Sequence, residues 1–179
     1  MKIITRGWLG ALTLALTSGA ACAQGAGPTD PQIAAIVATA NQVDIDAGKL
    51  AESRSASKDV KAFAQRMVAD HGSVNQAAAD LLHKLNVAPE ENATSRSLKQ
   101  GGDENLANLK TLHGAAFDSA YVAHEVAYHE TVLDALDKTL IPNAKNDELK
   151  ALLVKARPVF VAHLDHAKHL QAALGKSGG

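Results

Sequence analysis

The sequence contains few of the residues that support sulfur or aromatic chemistry. Among 179 residues there is one cysteine, and phenylalanine, tryptophan and tyrosine together make up 3%. A lone cysteine rules out an internal disulfide framework, and no Ser-His-Asp or Cys-His arrangement stands out as a nucleophile. The formal net charge is only −1, and the chain has neither a basic patch nor an aromatic platform. A nucleic acid is therefore not an expected partner.

Long hydrophobic runs are absent as well, and the apolar run near the start is too short to span a bilayer. It covers residues 8–16 and follows Lys2 and Arg6. Residues 21–23, Ala-Cys-Ala, then provide the small-x-small pattern of a leader peptidase site. We therefore expect residues 1–23 to be a signal peptide. The mature protein would be exported, with the periplasm as its location and without a transmembrane segment.

Cys22 leaves a second location open. As a lipidated first residue it would anchor the protein to the outer membrane, although Gly19 stands where lipoprotein signals usually carry an aliphatic residue. A lipid chain adds about 0.8 kcal/mol of membrane affinity per buried methylene group. The folded part of the chain would be the same in either case.

What the chain does contain is a regular recurrence of apolar residues, many of them alanine, at spacings of three and four. This spacing is typical of helices that bury one face. Between a flexible tether at 24–29 and a flexible tail at 175–179, it predicts a single domain, 30–174, that is a four-helix bundle. The expected helices cover about 31–54, 57–87, 114–140 and 146–174.

Turn and capping residues mark the ends of these helices. Asp30 before Pro31 is typical of a helix start, and Ser57 can cap the second helix. Pro142 and Asn143 should end the third.

Residues 88–104 are rich in Pro, Glu, Asn, Ser and Gly. We expect a long connection there between helices two and three, because it is longer than antiparallel neighbours require. A short helical piece over 106–112 should follow it.

Glycine and proline inside the predicted helices carry expectations of their own. Gly48 and Gly72 should mark close helix crossings, because glycine otherwise costs a helix about 1 kcal/mol relative to alanine. Pro158 should bend the last helix, since it leaves the carbonyl group of Val154 without its amide partner.

Three segments resemble a known family. They are Gly48–His71 (GKLAESRSASKDVKAFAQRMVADH), Gly114–Val122 (GAAFDSAYV) with His129, and Pro158 with His163–Leu170 (HLDHAKHL). On these segments the chain resembles the exported bacterial family named after the domain of unknown function 4142, over nearly the whole mature chain. The resemblance implies a ferritin-like helical bundle in the cell envelope, and it brings no established activity.

Three histidines, His71, His129 and His163, stand on apolar stripes where a plain bundle would carry Leu or Ile. Counting residues from the turns places Asp44 near the height of His71. It likewise places Glu125, one turn before His129, near the height of His163. We expect these five residues to meet in the bundle interior, where imidazole and carboxylate groups bind a transition metal.

The same residues permit a structural interpretation. Buried neutral histidines, each satisfied by an aspartate, a tyrosine or a carbonyl group, can form a polar network that fixes helix register. A dinuclear centre of the di-iron type does not fit, because it needs Glu-x-x-His on two helices. The residues three before the histidines are Val68, Val126 and Phe160. A single ion remains possible.

The other histidines carry weaker hypotheses. His124 and His129 are five residues apart, and the zinc-protease motif needs a separation of four. His166 and His169 should face solvent, with a weak surface site shared with His163 as an alternative.

Three classes of function therefore stay open. They are an exported metal-binding bundle in a stress-related role, a non-catalytic envelope protein that binds a protein partner or is structural, and an enzyme with Glu125 and His129 as an acid–base pair. The sequence favours the first two.

Overall fold

The computed structural model describes residues 27–177, and the predicted signal peptide with its cleavage site lies outside this range. The long elements within it are helices: α1 (Asp30–Arg54), α2 (Lys58–Leu85), α3 (Ala93–Thr111), α4 (Gly114–Ala135) and α5 (Asp147–Ser177). A π-helical segment, Leu136–Leu140, and a single turn, Ile141–Asn143, continue α4. The prediction of an all-helical bundle is confirmed, but the bundle has five helices and not four.

Local hydrogen bonds explain where α1 begins. The side chain of Gln32 accepts a hydrogen bond from the backbone N–H of Thr29 (3.2 Å), and Thr29, not Asp30, is the capping residue. Asp30 instead accepts hydrogen bonds from the backbone N–H groups of Lys145 and Asn146, at 2.8 and 2.9 Å. These bonds tie the start of α1 to the start of α5.

The ends of α2 and of the α4 segment follow their turn residues. Ser57 caps α2 as predicted, because its hydroxyl accepts a hydrogen bond from the Val60 N–H (3.3 Å). Asn86 ends α2 in the left-handed conformation, with φ of 51°. The helical run after α4 ends at Asn143, as the sequence predicted.

The expectation of a long connection over 88–104 is wrong, because most of this stretch belongs to α3. Asn92 caps α3 through hydrogen bonds exchanged with Ser95, at 3.0 and 3.1 Å. The helical piece predicted over 106–112 is the last part of α3, which ends at Thr111. The first half of α3 has a weaker apolar pattern, because a glycine packs against α1 there. A Cβ atom added to Gly102 would lie 2.6 Å from Cγ2 of Val43.

The other four helices form two antiparallel hairpins, α1 with α2 and α4 with α5. Cross-helix contacts show the direction of each pair: Asn41 with Asn75 and Gly48 with Val68 in the first, Asp137 with Arg157 and Glu130 with Lys168 in the second.

Helix α3 connects the two hairpins along the outside of the bundle. It runs parallel to α1, because Asn92 donates to the carbonyl of Gln32 near one end (3.2 Å) and Arg54 donates to the carbonyl of Lys110 near the other (2.7 Å). The chain thus comes back to the end of the bundle where α1 ends and α2 begins, and α4 starts there. Helices α1, α2, α5 and α4 consequently surround one interior.

Apolar side chains fill this interior at two levels. One level holds Ala47, Phe63, Met67, Phe117, Tyr121 and Leu170, and we call it the Phe63 layer. The other holds Ile33, Leu136, Leu140, Leu153 and Phe160, and we call it the Leu136 layer. On each of the four helices, buried polar residues lie between these two layers.

Glycine and proline within the helices give a mixed outcome. The prediction for Gly48 is confirmed, since an added Cβ would lie 3.0 Å from Cγ2 of Val68 and 3.1 Å from the carbonyl oxygen of Ala64. The prediction for Gly72 is wrong, because an added Cβ would meet nothing within 4 Å. Pro158 lies inside α5, which is helical on both sides of it.

Candidate metal centre

Each of the four interior helices contributes a buried polar side chain at the level between the two apolar layers. Asp44 comes from α1, His71 from α2, Glu125 and His129 from α4, and His163 from α5. Each is at most 1% exposed. The structure thus brings together all five residues that the sequence singled out.

The three imidazole rings stand close to one another. Their centroids are 5.5 Å apart for His71 and His129, 5.2 Å for His71 and His163, and 5.4 Å for His129 and His163. One ring nitrogen from each histidine can be chosen so that all three atoms lie within 4.8 Å of each other. The same holds for ligand atoms of Asp44, Glu125 and His129.

Each imidazole uses one ring nitrogen in a hydrogen bond to an oxygen atom of its surroundings. Nδ1 of His71 lies 2.9 Å from Oδ1 of Asn41, and Nδ1 of His129 lies 3.0 Å from the backbone oxygen of Glu125. Nε2 of His163 lies 2.9 Å from Oδ2 of Asp70. Carbonyl and carboxylate oxygens only accept, so each of these nitrogens carries the proton.

The orientation of the Asn41 amide settles the proton position on His71. The amide nitrogen of Asn75 donates to the carbonyl of Ala38 (3.4 Å), which turns the side-chain oxygen of Asn75 toward Asn41. The amide nitrogen of Asn41 donates to that oxygen (2.8 Å). The oxygen of Asn41 therefore faces His71, and Nδ1–H of His71 is the donor.

The second nitrogen of each imidazole is buried and carries a lone pair. Nε2 of His71, Nε2 of His129 and Nδ1 of His163 have no hydrogen-bond partner among residues 27–177. Oδ2 of Asp44 lies 3.5 Å from Nε2 of His71. Three unpaired nitrogen lone pairs thus lie inside one cluster.

The two carboxyl groups of the cluster are buried side by side. Burial raises the pKa of Asp44, and burial together with the neighbouring Asp44 raises the pKa of Glu125 well above its usual range. As carboxylates neither group donates, and both Glu125 oxygens lack a donor in the described part of the chain. Without a cation, a shared proton is what relieves this pair.

The imidazoles are neutral at physiological pH. Burial lowers the pKa of His71 well below its usual value, with the charges of the other two histidines adding to the effect. Burial likewise lowers the pKa of His129 to about 4 and lowers that of His163, although Asp70 opposes the shift at His163. Neutral imidazole is the form that binds metals.

Apolar groups close the cluster on the side of α1 and α5. The ring of Phe160 stacks on His71 with centroids 4.9 Å apart. A cavity of about 20 Å³ next to Asp44 and Asn41 is lined by Val, Leu, Ala and Phe side chains. The low polarity of this wall strengthens the interactions of any charge inside the cluster.

Sequence reasoning missed four residues around the cluster. Asn41 lies one turn before Asp44 on the buried stripe of α1, and a second polar residue at that position was a usable signal. Tyr121, whose buried hydroxyl lacks a partner in the described range, sits on the stripe one turn before Glu125. Asp70 and Asn75 lie at the edge of the α2 stripe, where a polar residue carries no signal.

The remaining histidines stay outside the cluster. His124 stacks on Tyr128 with ring centroids 5.4 Å apart, and His166 packs against Phe63 at 5.1 Å. His169 is exposed, as predicted, but His166 is half-buried. Neither joins His163 in a group of potential metal ligands among the residues described.

The fold and the cluster define a class of protein: an all-helical bundle with a buried group of histidines and carboxylates that could bind a metal ion. The chain belongs to the family described as "Domain of unknown function (DUF4142)", which matches residues 15–170. No curated protein and no solved structure matches the chain. Among the helices of residues 27–177, none combines the length and apolarity needed to cross a membrane.

Proposed function

We propose that the cluster binds one divalent transition-metal ion, with His71, His129 and His163 as nitrogen ligands and Asp44 and Glu125 as the source of oxygen ligands. The observation that carries this proposal is the orientation of the imidazoles. Each donates its N–H outward to an oxygen and keeps its lone pair inside without a partner. Metal-bound histidines are typically held by such an outer hydrogen bond.

The size of the cluster fits an ion. Imidazole nitrogens bind zinc at about 2.0–2.1 Å, so two nitrogens on one tetrahedral ion lie about 3.4 Å apart. One ring nitrogen from each histidine lies within 4.8 Å of the others, so the side chains would close on an ion by about 1 Å or less. The charge fits as well, because two carboxylates neutralise a divalent cation in a buried site.

A structural network is the second candidate, and the paired outer nitrogens support it. In that case the two carboxyl groups share a proton, but the inner nitrogens of the three imidazoles stay unsatisfied unless water reaches them. Each buried polar group without a partner costs about 1–3 kcal/mol. This cost favours the metal proposal, because an ion would remove it at several atoms together.

An enzyme with Glu125 and His129 as an acid–base pair has less support. Both side chains point into the bundle interior and are buried, with Glu125 0% and His129 1% exposed. A substrate would have to displace part of the core to reach them.

We further propose that the bundle is ferritin-like and that the protein is exported to the periplasm in a stress-related role, where transition metals need control. Two antiparallel hairpins joined by a crossover that spans the bundle support the first point. Residues 1–23 support the second through their signal-peptide pattern. Mass spectrometry of the periplasmic fraction should find a chain that begins at Gln24. An acylated chain that begins at Cys22 would show a lipid-anchored envelope protein instead.

Elemental analysis by mass spectrometry tests the metal proposal. The untagged protein is purified from the periplasm beside a variant with His71→Ala, His129→Ala and His163→Ala. The matched control carries His83→Ala, His113→Ala and His169→Ala, three exposed histidines outside the cluster. We expect close to one ion per chain in the native protein and the control, and none in the cluster variant.

The proposal would be overturned if the native protein is purified without metal and also binds none of Zn, Cu, Fe, Mn and Co in a competitive binding assay. The cluster would then be a structural network, and partner proteins in the envelope would become the question.

A further inference from the structure

Asp70 is where the cluster meets solvent. Its carboxylate accepts the hydrogen bond of His163 at 2.9 Å, while its side chain is 42% exposed. Among residues 27–177, it is the one charged side chain that is both hydrogen-bonded to a cluster histidine and open to solvent. Asp44 and Glu125, in contrast, are enclosed.

The other sides of the cluster are less favourable routes for a cation. On the side of Asp44 lies the apolar cavity of about 20 Å³, and a bare or hydrated ion in apolar surroundings is costly. The chain of amides from Asn41 to Asn75 is polar but carries no charge. The outer partner of His129 is a carbonyl group inside α4.

The seam between α2 and α5 is one of the two seams at which the hairpins meet, and unlike the other, between α1 and α4, it has no helix of the described chain packed against both of its sides. These two helices belong to different hairpins, so no short turn joins them, and they pack less closely than the partners within each hairpin. A groove of about 190 Å³ lies farther along the same seam, but its lining is mainly apolar and includes Lys155, so the acidic entry on this seam is Asp70 itself.

We propose that Asp70 and His163 form the portal through which the metal ion reaches the buried centre. The inference rests on the proposed metal-binding function. Asp70 attracts the hydrated cation at the surface. The imidazole of His163 then rotates away from Asp70, with its proton still on Nε2, so that the lone pair of Nδ1 meets the ion. As the ring returns to its hydrogen bond with Asp70, it passes the ion to the inner ligands.

Arg66 lies one helical turn before Asp70, and its positive charge acts on His163 as well. It is exposed, so it weakens the attraction for a cation without blocking the seam. Removal of this charge should therefore speed uptake, whereas removal of the Asp70 charge should slow it.

Stopped-flow uptake of Co²⁺ by the metal-free full chain tests the portal, with the visible absorption of bound Co²⁺ as the signal. Asp70→Asn keeps a hydrogen-bond acceptor for His163 and removes the charge. Asp80→Asn is the matched control, because Asp80 is an exposed carboxylate on the same helix that contacts Gln76 and no cluster residue.

We expect Asp70→Asn to slow both uptake and release by about tenfold, the lower end of electrostatic steering effects, with the equilibrium affinity little changed. Asp80→Asn should match the native protein, and Arg66→Gln should take up Co²⁺ faster. Added salt should slow native uptake more than uptake by the Asp70→Asn variant.

Equal uptake rates in Asp70→Asn and Asp80→Asn would overturn the portal. Weaker affinity with an unchanged uptake rate would do the same, because Asp70 would then only position His163. In both cases the native protein still binds Co²⁺, so the proposed function survives. A native protein that binds no Co²⁺ would overturn the function and the portal together.

Discussion

On α2, Phe63 and His71 lie eight residues, or about 12 Å, apart, and both are buried, yet their surroundings differ in kind. Around Phe63, rings and aliphatic side chains fill the space, as in its edge contact with Tyr121 at 6.1 Å. Around His71, several nitrogen and oxygen atoms lack a partner in the part of the chain that the structure describes.

This difference teaches where stability and function reside. Close packing in the Phe63 and Leu136 layers stabilises the bundle without help from any ligand. The polar layer between them adds little stability by itself, since buried polar atoms without partners destabilise a fold. It becomes stabilising once an ion satisfies its lone pairs, and a folded apolar frame on both sides makes that arrangement possible.

Truncation in the apolar layer should give the largest effect on stability. Phe63→Ala removes a fully buried ring, and such changes cost about 3–5 kcal/mol of unfolding free energy. Urea unfolding of the metal-free protein measures the loss. Val154→Ala is the control, because Val154 is 52% exposed and its truncation should stay within about 0.5 kcal/mol. Similar losses in the two variants would contradict the contrast between core and surface.

A fall in pH should give the next largest effect on stability, and this effect should come from the polar layer, because the apolar layers contain no group that titrates in this range. Burial lowers the pKa of His129 to about 4 and also lowers those of His71 and His163. Between the unfolded pKa near 6.5 and these lowered values, the unfolded chain binds protons that the native protein does not. The metal-free protein therefore loses stability as pH falls, by about 1.4 kcal/mol per pH unit for each fully shifted histidine.

The carboxyl pair acts with the opposite sign and supplies the control. Because the pKa values of Asp44 and Glu125 are raised in the native protein, these groups take up protons on acidification while the unfolded chain does not. Their contribution stabilises the fold as pH falls. A variant with Asp44→Asn and Glu125→Gln should consequently lose stability more steeply between pH 7 and 5. An equal or shallower loss would show that the carboxyl pKa values are not raised.

Metal binding should make the polar layer contribute to stability as the apolar layers on either side of it do. An ion at 100 times its dissociation constant stabilises a protein by about 2.7 kcal/mol. Thermal unfolding with and without Zn²⁺ should show this gain in the native protein and also in Phe63→Ala, whose substitution lies outside the cluster. The variant that lacks His71, His129 and His163 should show no gain. A Zn²⁺ effect of native size in that variant would place the ion elsewhere.

Much of this arrangement could be predicted from sequence, because the signals were local and periodic. His71, His129 and His163 interrupt apolar stripes, and helix length translates position along the chain into height in the bundle. Counting from the turns therefore sufficed to place Asp44 and Glu125 near them.

Other features depend on contacts that the periodicity of the sequence does not predict. The first half of α3 escaped because Gly102 packs against Val43 through its backbone, so that contact position carries no hydrophobic side chain, whereas the leucines of its second half did predict a helical piece. Asp70 escaped because it reaches His163 from the edge of the stripe and from a helix distant in sequence. The proton positions on the imidazoles required the partner atoms themselves, since nothing in the sequence states which nitrogen faces outward.

Two glycines, one inside the α1–α2 contact and one outside it, should give the smallest effects, and they test how closely the two helices pack beside the polar layer. Gly72 follows His71, and an added Cβ would meet no atom within 4 Å. Gly72→Ala should stabilise the protein by roughly 0.5–1 kcal/mol, because alanine is the better helix former. Gly48→Ala brings the same gain in helix propensity but should lower stability overall. Its Cβ would lie 3.1 Å from the carbonyl oxygen of Ala64, a backbone atom of α2 that cannot easily move away. Urea unfolding of both variants measures the signs. If both substitutions stabilise the protein, α1 and α2 can move apart at little cost. The alignment of Asp44 with His71 along the bundle axis would then depend on the contacts within the cluster and not on the packing around it.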